Sequence, residues 1–404
     1  MKSYLDLVPQ YEKVHRKQSK MSRICIILAV FLVAVMFGLA DMYLQGITQK
    51  VMQENGDWHY QITSIDTKTS DLIAARPEVE VSGWHSIISA DAGYSISGQP
   101  IAISGLDEDV FGEIYLASLA EGKYPNAANE IAVSSVLKES NDLDLGSVID
   151  LTCPDGSTVS FSIVGFFDNP EKARLIVGSE QSVILAQEGF TTFISASNSP
   201  ASEKYIIQLS QHCDMSSTIE KIKSQYSLSD GQIEANMNLL NIEGQLAGKT
   251  GVNQIYSIAL ILSIIVMLTC ILMISSTLNS NVTQRTEFFG MLRCLGATKK
   301  QIMNFVRLEG LYWCKTAIPA GVALSIVVVW VTSAAMRKIS PQWFAYMPTW
   351  GISWISIAVS VLLGLLTVLL AARTPAKKAA KSSPLEAVSG NAQQTTMFCK
   401  ARSE

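Results

Sequence analysis

Four sets of residues in this chain have types that could do chemistry, and none meets the spacing its chemistry requires. Gly244-Gln245-Leu246-Ala247-Gly248-Lys249-Thr250 approaches a phosphate-binding loop. That loop needs GxxxxGK[ST], because backbone N–H groups over that length wrap the phosphates. Here Glu243 stands where the first glycine belongs, and the spacing from Gly244 is one residue short. Gly93-Tyr94-Ser95-Ile96-Ser97 begins like a nucleophile elbow but closes on Ser97 instead of glycine. The four histidines, His15, His59, His85 and His212, are far apart and form no HExxH pair. His59 or His85 could act as a base; packed structural histidines are the competing reading. The seven cysteines show no CxxC spacing and no histidine companions, which argues against zinc and redox motifs. Cys25 and Cys270 lie in apolar runs, where a thiol behaves as a small hydrophobe. Cys153 and Cys213 could pair or stay free. The sequence therefore reads as a non-enzyme, with no catalytic residue, no metal site, no cofactor of its own and no nucleic-acid partner.

The elements that would position any site are dominated by apolar runs. Charged residues make up 16% of the 404 residues and the mean hydropathy is +0.25. Soluble domains carry about 25% charged residues. Roughly 20 apolar residues cross a bilayer core as a helix. Four stretches qualify, at residues 24–44, 255–278, 316–336 and 350–372. The last three contain no Asp, Glu, Lys or Arg, and the first contains only Asp41, near its end. The lipid bilayer is thus the first partner.

Charge then sets the orientation. Only seven of the 35 acidic residues lie outside 46–254 (Asp6, Glu12, Asp41, Glu287, Glu309, Glu386 and Glu404), whereas 20 of the 31 basic residues do. Lysine and arginine concentrate before the first span, between the second and third, and after the fourth, so those regions are expected in the cytoplasm. Arg337 and Lys338 run against the pattern. Trp330, Trp343, Trp350 and Trp354 cluster around the connection after span three, as an interfacial belt would. The expectation is a multi-pass plasma-membrane protein with both termini cytoplasmic. Residues 1–23 place Tyr4, Leu7, Val8, Tyr11 and Val14 at helical spacing, which suggests an amphipathic helix on the inner surface, with a frayed tail as the alternative.

Between the first two spans, residues 45–254 are expected to form an α+β extracytoplasmic domain. Strand, helix and strand patterns at 60–65, 67–75 and 79–90 make one β-α-β unit, within about 57–125. Those at 205–209, 215–226 and 232–237 make a second, within 201–237. A strand-rich lobe, about 126–200, is inserted between them and punctuated by Pro154-Asp155-Gly156, Asp168-Asn169-Pro170 and Ser197-Asn198-Ser199-Pro200. Residues 238–254 follow as a helical stalk. The fold class is an α-helical membrane protein of four transmembrane helices carrying this domain.

The segment 279–315 joins spans two and three. Gly290 and Gly296 punctuate it, and Met291, Leu292 and Leu295 form an apolar patch beside Arg293. Thr298 and Gln301 have capping-box spacing, so a helix should start near Lys299 and place Ile302, Phe305 and Val306 on one face. The segment reads either as an elbow that moves both spans or as a plain helical connection.

At this segment the sequence resembles the MacB/FtsX family of ABC-transporter permeases. Their pattern ERxxEIGxLRALGAxxxQI is met by Gln284–Ile302, with Arg285, Glu287, Gly290, Leu292, Arg293, Leu295, Gly296, Ala297, Gln301 and Ile302 in register. Gln284, Phe289 and Cys294 depart from it. Glu309, Pro384-Leu385-Glu386-Ala387-Val388 and the stretch from Asn129 to Leu151 also look like the family. The resemblance implies a separate cytosolic ABC ATPase that binds the ATP, and a second permease copy, identical or paralogous. It further implies docking on that ATPase by Glu287, Gly290, Met291, Leu292, Arg293, Leu295, Gly296, Ala297, Thr298 and Lys299. Export or extraction of an amphipathic peptide, macrolide or lipoprotein is one implied task. The alternative is a cargo-free transmitter of the FtsX kind, acting on an envelope adaptor or a peptidoglycan hydrolase.

Overall fold

The computed structural model describes residues 16–167, 169–197, 201–244 and 251–381. Tyr4 to Val14, residues 245–250 of the loop-like stretch and stalk, Asn198 to Pro200, and Pro384 to Val388 lie outside the described residues. The chain divides into an α/β unit, residues 46–253, and a helical unit built from the residues on either side.

Helix α1 (Arg16–Asn55) leads into the α/β unit. There follow β1 (Tyr60–Thr63), α2 (Thr67–Ala74), β2 (Val79–Ile88), β3 (Ser95–Ile96), β4 (Gln99–Pro100), β5 (Ala102–Leu106) and β6 (Glu121–Gly122). Next come β7 (Glu130–Ser134), α3 (Ser135–Asn141), β8 (Val148–Thr152), β9 (Thr158–Phe167), α4 (Pro170–Val177), β10 (Ser182–Ala186) and α5 (Gln187–Ser197). The unit closes with β11 (Ser202–Leu209), α6 (Met215–Tyr226), β12 (Ile233–Ala235) and α7 (Met237–Ile242). All strands join one mixed sheet in the order β12-β1-β11-β2-β5-β10-β7-β9-β8-β3-β4, with β6 on β9.

The two β-α-β units, β1-α2-β2 and β11-α6-β12, interleave at one end of this sheet. β11 pairs antiparallel with both β1 and β2. Ile73 of α2 and Met215, Ile219 and Ile222 of α6 pack with Tyr60, Ile62, Tyr205, Ile207 and Leu209 in one core. The strand-rich segment continues the same sheet through β5, which pairs antiparallel with β2 and parallel with β10. Its central strands are buried on both faces. Ile103, Val133, Ile131, Val183 and Leu185 enter one core, and their neighbours Ala102, Ala132 and Ile184 enter the other. Each of these isoleucine, valine and leucine side chains removed from water contributes about 1.5–3 kcal/mol. Cys153 and Cys213 are both free thiols, and they pack at separate cores of the sheet, so the disulfide alternative is not realised.

The helical unit adds α8 (Gly251–Gln284), α9 (Thr286–Cys294), α10 (Lys299–Ile339), α11 (Pro341–Phe344), α12 (Trp354–Ala371) and α13 (Arg373–Lys381). α1, α8, α10 and α12 are the four helices among the described residues long and apolar enough to span a bilayer. α10 runs unbroken from the loop at Thr298 through Pro319. α12 begins at Trp354, where the Ser353 hydroxyl caps the Ser356 amide; residues 350–353 are not helical. Cys25, Ile26 and Val30 of α1 meet Ile274, Trp313 and Val368 in a common core. Apolar side chains also point away from protein, with Ile258, Leu272 and Leu362 all more than half exposed. Such a surface is stable only in lipid or against another apolar surface.

Candidate functional site: the elbow between α8 and α10

The α8 helix stops because Arg285 leaves helical geometry, at φ −114° and ψ 19°. Its guanidinium turns inward and donates to Glu309 Oε1 of α10 at 2.7 Å, with both side chains under one-tenth exposed. α9 then runs only to Cys294. Leu295, Gly296 and Ala297 donate their amides back to the carbonyls of Met291, Arg293 and Leu292, which closes the helix end. Gly296 sits at φ +94°, the left-handed position that a helix C-terminus favours glycine to fill. One residue after Ala297, Thr298 opens α10: its hydroxyl accepts from the Gln301 amide at 3.3 Å, and its own amide donates to Gln301 Oε1 at 2.8 Å. The capping box anticipated from the sequence is present.

Beneath the elbow lies a small apolar core. Phe289 packs between Phe288 and Phe305, with ring centres 5.6 and 6.4 Å away. Ile302, Val306 and Val282 complete one side, and Ala376, Ala379 and Ala380 of α13 the other. That contribution from α13 went unnoticed in the sequence, where residues 373–404 read as a tail. The signal was there: alanines recur three and four residues apart between lysines. Lys378 Nζ also donates to Thr283 Oγ1 at 3.1 Å, tying α13 to the end of α8.

The ten candidate residues divide by burial. Gly290 is buried against this core and serves packing. Glu287, Met291, Leu295, Gly296, Thr298 and Lys299 are exposed, and Leu292, Arg293 and Ala297 are half-buried. Met291 and Leu295 stand out, at 57% and 85% exposure, because large apolar side chains on a basic surface have no reason to face water. A groove of about 290 Å³ opens at Leu295, lined also by Leu292, Gly296, Ala297, Gln301, Ile302 and Phe305. Gln301, Ile302 and Phe305 were not among the candidates, although the helical face Ile302–Phe305–Val306 pointed to the last two. The site offers shape, apolar surface and positive charge, with the exposed thiol of Cys294 at the end of α9.

His59 and His85 of the α/β unit are buried and hydrogen-bonded, whereas His212 is exposed. His85 is buried with its Nδ1 at 2.7 Å from the Tyr115 hydroxyl, and burial pushes its pKa down to about 3. His59 lies near Asp57 and Glu243, a trio close enough to consider for a metal. Its Nδ1 accepts the Leu209 amide at 2.8 Å, so the ring proton sits on Nε2, which donates to Glu243 Oε2 at 2.9 Å. A metal needs the Nε2 lone pair and normally leaves the other ring nitrogen donating. The donor set suits a proton. Tyr94, in the elbow-like motif, is a fully buried core residue, and Ser95 lies in β3.

Comparison with known proteins places this arrangement. A family model described as FtsX-like permease C-terminal matches residues 260–384, and one described as MacB-like periplasmic core domain matches residues 22–225, half of the chain. The chain belongs to the MacB/FtsX family of ABC-transporter permeases. An uncharacterized ABC transporter permease protein of Mycobacterium tuberculosis is 29% identical over 129 residues, which is 30% of this chain and 15% of that protein. The chain thus matches well under two-thirds of that relative's length. Among solved structures, the periplasmic region of MacB from Actinobacillus actinomycetemcomitans aligns at a TM-score of 0.36 and 8% identity, over 50% of this chain and all of that one. The extracellular domain of the noncanonic ABC-type transporter YknZ from Gram-positive bacteria aligns at 0.32 and 9%, over 44% and 98%. At such scores these likenesses add no weight to the family models. In this MacB/FtsX-family permease the four apolar helices are membrane spans, and the α/β unit is the extracytoplasmic domain.

Proposed function

We propose that this permease is driven by a separate cytosolic ABC ATPase that docks on the elbow formed by α9 and the start of α10. Glu287, Met291, Leu292, Arg293, Leu295, Gly296, Ala297, Thr298 and Lys299 form the contact surface, and Gly290 holds it on its core. The ATP is bound by the ATPase. Both termini and the elbow face the cytoplasm, and two permease copies work with two ATPases. Closure of the ATPases moves the extracytoplasmic domain, which exports or extracts an amphipathic peptide, macrolide or lipoprotein.

One observation carries this reading: an apolar groove lined by the exposed Leu295, on an elbow that also carries Arg293, Lys299 and Lys300. An apolar side chain of the partner fills such a groove while acidic groups meet the basic residues. The uncharged apolar stretches of α8, α10 and α12 favour a second reading, because a polar substrate path normally leaves charges inside the membrane. In that reading the chain moves no cargo and acts mechanically on an envelope adaptor or peptidoglycan hydrolase. Both share the docking step. Co-purification with its cognate ABC ATPase tests that step: Leu295→Asp abolishes the pairing, whereas Leu145→Asp in the extracytoplasmic domain leaves it intact. Equal pairing by wild type and Leu295→Asp contradicts the proposal.

A further inference from the structure

The extracytoplasmic domain is entered by the chain at the end of α1 and left after α7, and both points meet at residues 53–59. We infer that Lys172, Asn236 and the His59–Glu243 pair are positioning residues that join the end of α1 and the exit at α7 to the sheet as one rigid mount. The inference rests on the mechanical reading of the permease given above.

Lys172 is the centre of the entry side. It lies on α4, is 6% exposed, and donates its ammonium to the Gln53 carbonyl at 2.9 Å and the Tyr115 carbonyl at 2.6 Å. The first belongs to the last turn of α1, and the second caps the single π-helical turn Val110–Ile114. Two helix ends therefore converge on one cation, each presenting the negative end of its dipole and a carbonyl without an intrahelical donor. The same junction is pinned by the Asp57 amide to the Ile114 carbonyl at 2.6 Å and by Trp58 Nε1 to the Asn55 carbonyl at 2.8 Å. Gly56, at φ +86°, makes the sharp turn between them.

On the exit side, Asn236 donates its backbone amide to the His59 carbonyl at 2.9 Å and its side-chain amide to the Gly56 carbonyl at 3.4 Å. Glu243, just past α7, accepts from His59 Nε2. β11 supplies the base of the mount, through the Leu209 amide on His59 Nδ1 and Gln208 Nε2 on Asp57 Oδ2 at 2.8 Å. Every bond here is directional, and a buried apolar contact of the same area would fill the space without fixing the position of the last turn of α1. An otherwise costly buried lysine is explained by that need.

Hydrogen exchange on the full-length chain in lipid nanodiscs tests the mount without any ATPase. Lys172→Met is expected to speed exchange of amides 50–55 at least tenfold while β5 and β10, at the centre of the sheet, keep wild-type protection. Lys172→Gln, which retains one donor, gives an intermediate value and serves if the methionine variant fails to accumulate. Unchanged exchange at 50–55, or equal loosening of 50–55 and the central strands, overturns the inference. In the complex with its ATPase, Lys172→Met retains ATP hydrolysis and loses the ATP-dependent change in protection of the extracytoplasmic domain. Loss of that change with intact exchange at 50–55 likewise overturns the inference, whereas failure of the wild-type chain to pair with the ATPase counts against the docking reading alone.

Discussion

Arg285 and Glu309 show what a single pair contributes at the elbow. Both are nearly buried, so removing one leaves the other's charge in a low-dielectric setting. Glu309→Ala is expected to cost about 3–5 kcal/mol, whereas Arg285→Met with Glu309→Leu should be close to neutral, because no lone charge is then buried. Thermal denaturation in detergent distinguishes the two. His85 gives a pH dependence of definite sign. Its pKa is about 3 when folded and 6.5 unperturbed, so below pH 6.5 the unfolded state takes up a proton that the folded state refuses. Stability of the extracytoplasmic domain then falls by about 1.4 kcal/mol per pH unit, over the window between those two values and not above it. Exchange protection of β2 from pH 7 to 4 reads this, and His85→Gln flattens the slope. Sequence spacing made both histidines visible but could not show that Tyr115 and Glu243 are their partners, since the contacts close over long loops.

At the scale of elements, legibility follows periodicity. In the two β-α-β units, Tyr60 and Ile62 of β1 alternate with polar residues, and Met215, Ile219 and Ile222 of α6 recur at helical spacing on one buried face, so these patterns stand out in the sequence. β5 does not alternate: Ile101-Ala102-Ile103-Ser104-Gly105-Leu106 is buried on both faces and gives no two-residue rhythm. The strand was therefore missed, and with it the fact that the inserted segment continues the same sheet. Gly105 marks the spot, because a Cβ there would collide with Phe190 of α5. Gly105→Val should destabilise the extracytoplasmic domain by about 1–3 kcal/mol, measured as lost exchange protection in β5 and β10. The elbow was legible because capping chemistry is local. Thr298 and Gln301 announce the start of α10 in four residues. Thr298→Ala is expected to cost about 1 kcal/mol and to raise exchange in the first turn of α10.

At the scale of the whole molecule, charge segregation carries the orientation and the apolar runs carry the spans. The α13 helix was hidden because its apolar face is made of alanine, which barely registers as hydrophobic, yet it closes the core under the elbow. The account stands on that elbow facing the cytoplasm. Cys294 is an exposed free thiol at the end of α9 and reports its side directly. A variant whose sole cysteine is Cys294 is treated in intact cells with a membrane-impermeant maleimide, then again after permeabilisation. The expected result is labelling only after permeabilisation. Labelling of Cys294 in intact cells would put the elbow outside, beyond reach of any cytosolic ATPase, and contradict the account.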